Sequence, residues 1–134
     1  MKIVFDKYIP FLAEAAGKHW SGVQIFPMKP EEINRQTVRD ADVLVIRTRT
    51  RADANLLSGS QVKMVCTATI GFDHIDTVWC ESQGIRWMSC PGCNAQAVCD
   101  YIEETLNEYF NYQLSTINYQ LSIGIVGVGH VGSL

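Results

Sequence analysis

Val43-Leu44-Val45-Ile46 is a run of four aliphatic residues with no polar interruption. A strand with one wet face alternates apolar and polar residues. An unbroken short run therefore marks a strand covered on both faces, as in the interior of a parallel sheet. The pattern recurs in weaker form along the chain: residues 2–5, Val23 to Phe26, Val62 to Cys66 and Ile85 to Met88 read as further strands. Between them lie stretches of helical character. These are Tyr8 to Gly17 with Pro10 in its first turn, a short helix opened by Pro30-Glu31-Glu32, Asp53 to Leu57 stopped by Ser58-Gly59, and Asp76 to Gln83 closed by Gly84. Strands alternating with helices predict an α/β domain built on a doubly wound parallel sheet of about five strands. Ligands of such sheets bind beyond the carboxyl ends of the strands.

The length of 134 residues suits one domain, and 47% apolar residues are enough to fill its core. A net charge of −3 gives no reason to expect nucleic acid or a membrane surface as partner. No apolar run approaches the ~18–20 residues that span a bilayer. The opening Met-Lys-Ile-Val-Phe-Asp carries a charge inside its apolar stretch, so it reads as a first strand and not as a signal peptide. Five cysteines stand at 66, 80, 90, 93 and 99, an odd number that fits reduced thiols in a cytoplasmic protein. Cys90-Pro91-Gly92-Cys93 has the spacing of a redox pair, but reads as two small residues in a turn. No second cysteine pair or spaced histidine pair completes a zinc site, and no metal is expected.

Asn94 to about Phe110 reads as a longer helix with Asn94 as its cap. Val98, Ile102, Leu106 and Tyr109 recur at helical spacing and are expected to form its buried face. Residues 111–122 contain an Asn-Tyr-Gln-Leu-Ser unit twice, at Asn111 and Asn118. Two copies are too few for a solenoid, so the stretch reads as a duplicated connector. The last residues, Gly124 to Leu134, hold Gly127-x-Gly129-x-x-Gly132 directly after the apolar run Ile123 to Val126. This is the opening of a dinucleotide-binding βαβ unit. The glycines permit a tight turn, close approach to a pyrophosphate and close packing of the following helix.

Three expected strand ends carry candidate chemistry. Arg47-Thr48-Arg49-Thr50-Arg51 follows the third strand. If extended, it places three guanidinium groups on one face and two hydroxyls on the other, suited to a carboxylate or phosphate. Thr67-Ala68-Thr69-Ile70-Gly71 follows the fourth, and Cys90 to Asn94 the fifth. The hydroxyls of Thr48 and Thr50 can donate to the same anion's oxygens, while the small and hydroxyl residues that end in Gly71 allow close backbone approach to a ligand. His74, flanked by Asp73 and Asp76, invites assignment as a general base, but a histidine beside a helix start more often makes structural hydrogen bonds.

With these residues in order, the chain resembles the N-terminal part of the D-isomer-specific 2-hydroxyacid dehydrogenases. Within them it resembles the members that oxidise 4-phospho-D-erythronate to the 2-oxo acid in pyridoxal phosphate biosynthesis. The residues that carry the resemblance are the opening Met1 to Asp6, Val45 to Thr50, Thr67 to Asp76, Pro91 to Ala95 and Gly124 to Gly132. The resemblance implies a flavodoxin-like substrate domain in residues 1–95 and an interdomain helix over 94–110. A connector over 111–122 and the first strand of a truncated Rossmann domain over 123–134 would follow. It implies NAD as cofactor, a small phosphorylated hydroxy acid as ligand and a homodimeric family, with self-association open to this chain. Thr48 and Thr69 would contact substrate, with Arg47 and Asn94 at the cleft. Gly127, Gly129, His130, Val131 and Gly132 would form the pyrophosphate loop. The family's catalytic Arg, Glu and His would lie beyond Leu134, so the chain alone is expected to be inactive. A non-enzymatic module binding a phosphorylated acid, or another D-2-hydroxyacid dehydrogenase, is the alternative. A receiver-like signalling domain is disfavoured, because its phospho-acceptor position holds Arg47 and Thr48 and no carboxylate.

Overall fold

In the computed structural model, five strands pair in the order β2-β1-β3-β4-β5, all parallel. They are β1 (Lys2–Asp6), β2 (Gln24–Met28), β3 (Val43–Ile46), β4 (Met64–Thr67) and β5 (Arg86–Met88). Among the described residues the helices are α1 (Leu12–His19), α2 (Ala54–Leu57), α3 (Thr77–Ser82) and α4 (Ala95–Leu114), with a 3-10 turn at Pro30–Glu32. The structure describes residues 1–19 and 21–114 together with Gly124, Val126, Gly127 and Gly129. The chain divides into two units, Met1–Cys90 and Pro91–Leu134.

The sheet register explains the core of the first unit. Val4 stands opposite Leu44, and Leu44 opposite Val65. All three are fully buried and join Ile46, Val38, Leu57 and Cys80 in one cluster. Burial of each such aliphatic side chain contributes about 1.5–3 kcal/mol. Coverage of the two faces is unequal. In β3, Leu44 and Ile46 are buried while Val43 and Val45 are half-buried, and β4 repeats this with Val65 and Thr67 against Met64 and Cys66. β1 is the strand buried on both sides, with Ile3, Val4 and Phe5 all inside. β2 contains Pro27, which a sheet edge tolerates because one side of an edge strand makes no ladder hydrogen bonds.

Several boundaries differ from those the sequence suggests. Pro10 precedes α1 instead of sitting in its first turn. The amide of Ile9 donates to the carbonyl of Asp6, and Phe11 takes φ 61°, so the helix begins only at Leu12. α1 then runs through Gly17 to His19, ending on Lys18 and His19, cations suited to the negative end of the dipole. Val62 is buried but lies before β4, which starts at Met64. α2 and α3 begin where expected. The Asp53 carboxylate accepts from the amides of Asn55 and Leu56, and that of Asp76 from the amide of Trp79.

The loops that leave β3 and β4 are joined by a small parallel bridge between Ala52 and Ile75. The amide of Ala52 donates to the carbonyl of His74, and the amide of Asp76 donates to the carbonyl of Ala52, each at 2.8 Å. Both bridge residues are buried.

In the second unit, the carbonyl of Asn94 accepts from the amide of Val98 at 3.1 Å, the place of a helix cap. α4 continues four residues beyond Phe110 and takes in Asn111 to Leu114, the start of the first repeat copy. No Gly or Pro interrupts it. Its expected buried face is not buried in this chain: Ile102 is 44% and Tyr109 57% exposed, while Val98 and Leu106 are half-buried. The remaining connector, residues 115–122, lies outside the described residues.

Candidate functional site

The site begins with a buried acid. Asp6 closes β1 and is fully buried. Its carboxylate accepts from the amide of Tyr8 at 2.9 Å through Oδ1, and from Nε of Arg47 at 2.9 Å through Oδ2. Arg47 follows β3, the neighbour of β1 in the sheet, so the parallel order brings the two strand ends together. The pair fixes the guanidinium at its Nε edge, and the Arg47 side chain remains 32% exposed. The guanidinium also lies 5.7 Å from the centre of the Tyr8 ring, within cation–π range.

Tyr8, Arg47, Thr48, Arg49 and Thr69 line a cavity of about 400 Å³. It lies at the exit ends of β3 and β4, where parallel sheets bind ligands. Two arginines and two threonines make it an anion-accepting surface. Asp6 offsets the charge of Arg47, and Arg49 supplies the surplus positive charge. A larger cavity of about 520 Å³ is lined by Arg35, Gln36, Arg39, Ser58 and Gly59. The chain there enters β3 and β4 instead of leaving them, so the smaller cavity is the better candidate.

The arginine stretch is not extended. Residues 47–50 form a turn in which the amide of Thr50 donates to the carbonyl of Arg47 at 3.1 Å. The expected alternation of three arginines against two threonines therefore fails. Arg47 pairs with Asp6, Arg51 with Asp53 at 3.3 Å, and Arg49 faces solvent. Thr50 is buried, and its hydroxyl has no hydrogen-bond partner among the described residues, whereas Thr48 is exposed.

Behind the cavity runs a chain of hydroxyls. Nε2 of His74 is 2.9 Å from Oγ1 of Thr67, which is 2.6 Å from Oγ1 of Thr69. The Thr69 hydroxyl donates to the carbonyl of Gly71 at 3.0 Å. His74 and Thr67 are buried, so His74 makes structural hydrogen bonds as its sequence context suggests. Burial holds the His74 pKa below its ordinary value, while the charge of Asp73 pulls weakly the other way.

Of the residues expected at the ligand, Arg47, Thr48 and Thr69 meet at one cavity. Asn94 belongs to the second unit. Gly127 takes φ +98°, and among the described residues nothing lies within 4 Å of the place a Cβ would occupy. A positive φ of this kind is what the first glycine of a pyrophosphate loop would need. Gly129 is exposed, and His130, Val131 and Gly132 lie outside the described residues. Cys90 and Cys93 are exposed and free, and Gly92 between them has φ +76°, as a turn requires. Burial pushes the Cys66 thiol up, with a smaller contribution from Cys90. Asp6 and Tyr8 are the site residues that sequence reasoning passed over, and Thr67 stood only within the stretch after the fourth strand, with no role of its own. An acid and a cation ending adjacent parallel strands were the available signal for Asp6.

The fold and cavity define a class. The chain belongs to the D-isomer specific 2-hydroxyacid dehydrogenase family, whose catalytic domain matches residues 3–126. It is 48% identical over 133 residues to erythronate-4-phosphate dehydrogenase of Bacteroides fragilis strain YCH46, covering 99% of this chain and 37% of that protein. It is 47% identical to the enzyme of the same name from Bacteroides thetaiotaomicron, with the same coverage. The chain thus spans little more than a third of the curated relatives it matches. Among solved structures it resembles NAD+-bound 3-phosphoglycerate dehydrogenase of Entamoeba histolytica, with a TM-score of 0.69 and 21% identity over 99% of this chain and 48% of that one. At that identity the likeness speaks for the fold alone. No helix among the described residues is long and apolar enough to cross a membrane.

Proposed function

We propose that the chain carries the substrate-binding part of an NAD-dependent dehydrogenase that oxidises 4-phospho-D-erythronate to its 2-oxo acid in the cytoplasm. The observation that carries this reading is the cavity in which Arg47, braced by Asp6, and Arg49 stand beside Thr48 and Thr69. The substrate is anionic at both ends, and a guanidinium fork suits either a carboxylate or a phosphate. The relatives' name supports the substrate, and the family supports the reaction class.

In this reading the chain's residues bind and orient. Asp6 keeps Arg47 from swinging into solvent, so less side-chain entropy is lost when an anion arrives. Arg49 supplies the free positive charge at the rim. Gly127 leaves backbone open to a pyrophosphate, and bound NAD would supply the hydride acceptor. The family resemblance assigns carboxylate holding and proton removal to an Arg, a Glu and a His of the cofactor domain, so the residues of this cavity bind and orient the substrate.

Calorimetry on the 134-residue chain with 4-phospho-D-erythronate tests the binding claim. Heat of binding is expected, and Arg49→Ala should weaken it by roughly tenfold, the effect of a lost charge-assisted hydrogen bond of about 1.5 kcal/mol. No heat and no thermal shift would overturn it. Adding NAD and following NADH absorbance tests the division of labour, which sustained turnover by this chain would contradict.

A further inference from the structure

The hydroxyl chain behind the cavity has a direction that can be deduced by counting protons. Thr69 has one hydroxyl proton, and it donates that proton to the carbonyl of Gly71. The 2.6 Å contact between Thr67 and Thr69 must then be filled by the proton of Thr67. With that proton committed, the remaining contact of Thr67, to Nε2 of His74 at 2.9 Å, can be filled only from the ring. His74 therefore carries its proton on Nε2. The reverse order does not satisfy the same atoms. A bare Nε2 would draw the Thr67 proton, Thr69 would have to donate to Thr67, and the Gly71 carbonyl would lose its donor. Thr67 is buried and is satisfied in either order, so the choice rests on the 3.0 Å contact between Thr69 and the Gly71 carbonyl, which only the first order supplies with a proton.

The order has a consequence at the cavity wall. Thr69 Oγ1 accepts one hydrogen bond, donates one, and keeps a single lone pair. We propose that His74, acting through Thr67, is a positioning residue that presents Thr69 to the cavity as an acceptor, so that Thr69 reads a hydroxyl group of the ligand. The charged ends of the ligand fall to Arg47 and Arg49. Donating to the anion instead would require Thr69 to give up the Gly71 carbonyl. It also separates the two demands of a hydroxy acid: cations bind its charge, and an oriented acceptor recognises its hydroxyl. The His74 backbone is held independently, since its carbonyl accepts from Ala52 in the bridge between the two loops. The ring is thus a fixed starting point for the relay.

The ligand half of this inference rests on the proposed function, and the relay itself does not. Long-range 1H–15N correlation on the 15N-labelled 134-residue chain near neutral pH reads the tautomer directly. A proton on Nε2 of His74 with a bare Nδ1 is expected, and a proton on Nδ1 overturns the relay. Calorimetry then compares 4-phospho-D-erythronate with 4-phosphobutanoate, which has both charges and no hydroxyl. The wild-type chain should favour the hydroxylated acid by roughly tenfold. Thr69→Val should abolish the preference. His74→Leu should reduce the preference, and His74→Gln, whose amide can donate near the position of Nε2, should restore it. Equal affinity of the wild type for both acids overturns the hydroxyl reading. Binding of neither overturns the proposed function and the hydroxyl reading together, and the tautomer still decides the relay.

Discussion

Removing either member of the Asp6–Arg47 pair should destabilise the first unit, and the two losses should differ in a set direction. Asp6 is 0% exposed and Arg47 32% exposed. Arg47→Met leaves a carboxylate wholly out of water with one remaining donor among the described residues, the amide of Tyr8. Breaking a buried pair so as to strand one charge costs about 3–5 kcal/mol, and full burial puts this variant in that range. Asp6→Asn leaves the other partner, which can turn into solvent. Asparagine also keeps an oxygen for the Tyr8 amide. The loss is then mainly one charge-assisted hydrogen bond, about 1.5–3 kcal/mol. Urea unfolding followed by tryptophan fluorescence measures both, since Trp79 and Trp87 pack against the core. A loss of about 3 kcal/mol lowers the midpoint by roughly 1–3 M for a slope of about 1–3 kcal/mol per M. An Arg47→Met variant as stable as Asp6→Asn or more so would refute the reasoning, because it would mean that Asp6 has access to water.

Two further predictions concern titrating groups. Burial depresses the His74 pKa from 6.5 in the folded state. Above about pH 6.5 the ring is neutral whether the chain is folded or not, and its contribution to stability is intact. Below that the unfolded chain takes up the proton first, so stability falls until the folded ring also protonates. Unfolding midpoints from about pH 8 to about pH 5 should fall more steeply for the wild type than for His74→Gln, and parallel profiles would contradict the assignment. The cysteines should separate by burial: Cys90 and Cys93 are exposed, whereas Cys80 is buried and its thiol is pushed up by that burial. Alkylation resolved by mass spectrometry should mark Cys90 and Cys93 first and Cys80 only on unfolding. Early modification of Cys80 would mean that α3 opens in the native state.

What was legible in the sequence followed from local pattern. Apolar runs announced the five strands, because a strand buried by its neighbours has no use for polar residues. Asp53 and Asp76 announced two helix starts, because a cap acts within three residues of itself. What failed depended on partners far along the chain. The alternation expected of residues 47–51 assumed an isolated extended strand, but Arg47 is drawn to Asp6, 41 residues away, and the chain turns. Nothing near Asp6 marks it as more than the end of a strand. Thr67 was likewise indistinct, since its role needs both the depth of β4 and the return of the chain at His74. The apolar stripe on α4 was read correctly as a stripe, but periodicity gives the direction of a face and not what covers it.

The bridge between Ala52 and Ile75 bears on how such a site can change in descent. It ties together the ends of two loops, residues 47–51 and 68–74, just where they leave the cavity. Inserting or deleting a residue in either loop would slip the bridge, expose Ala52 and Ile75 and turn the His74 ring away from Thr67. Loop length, usually the freest variable in an α/β protein, is therefore closed to adaptation on these two segments. New ligand preferences in this lineage are expected to arise by exchange of side chains at Tyr8, Thr48, Arg49 and Thr69 on loops of constant length.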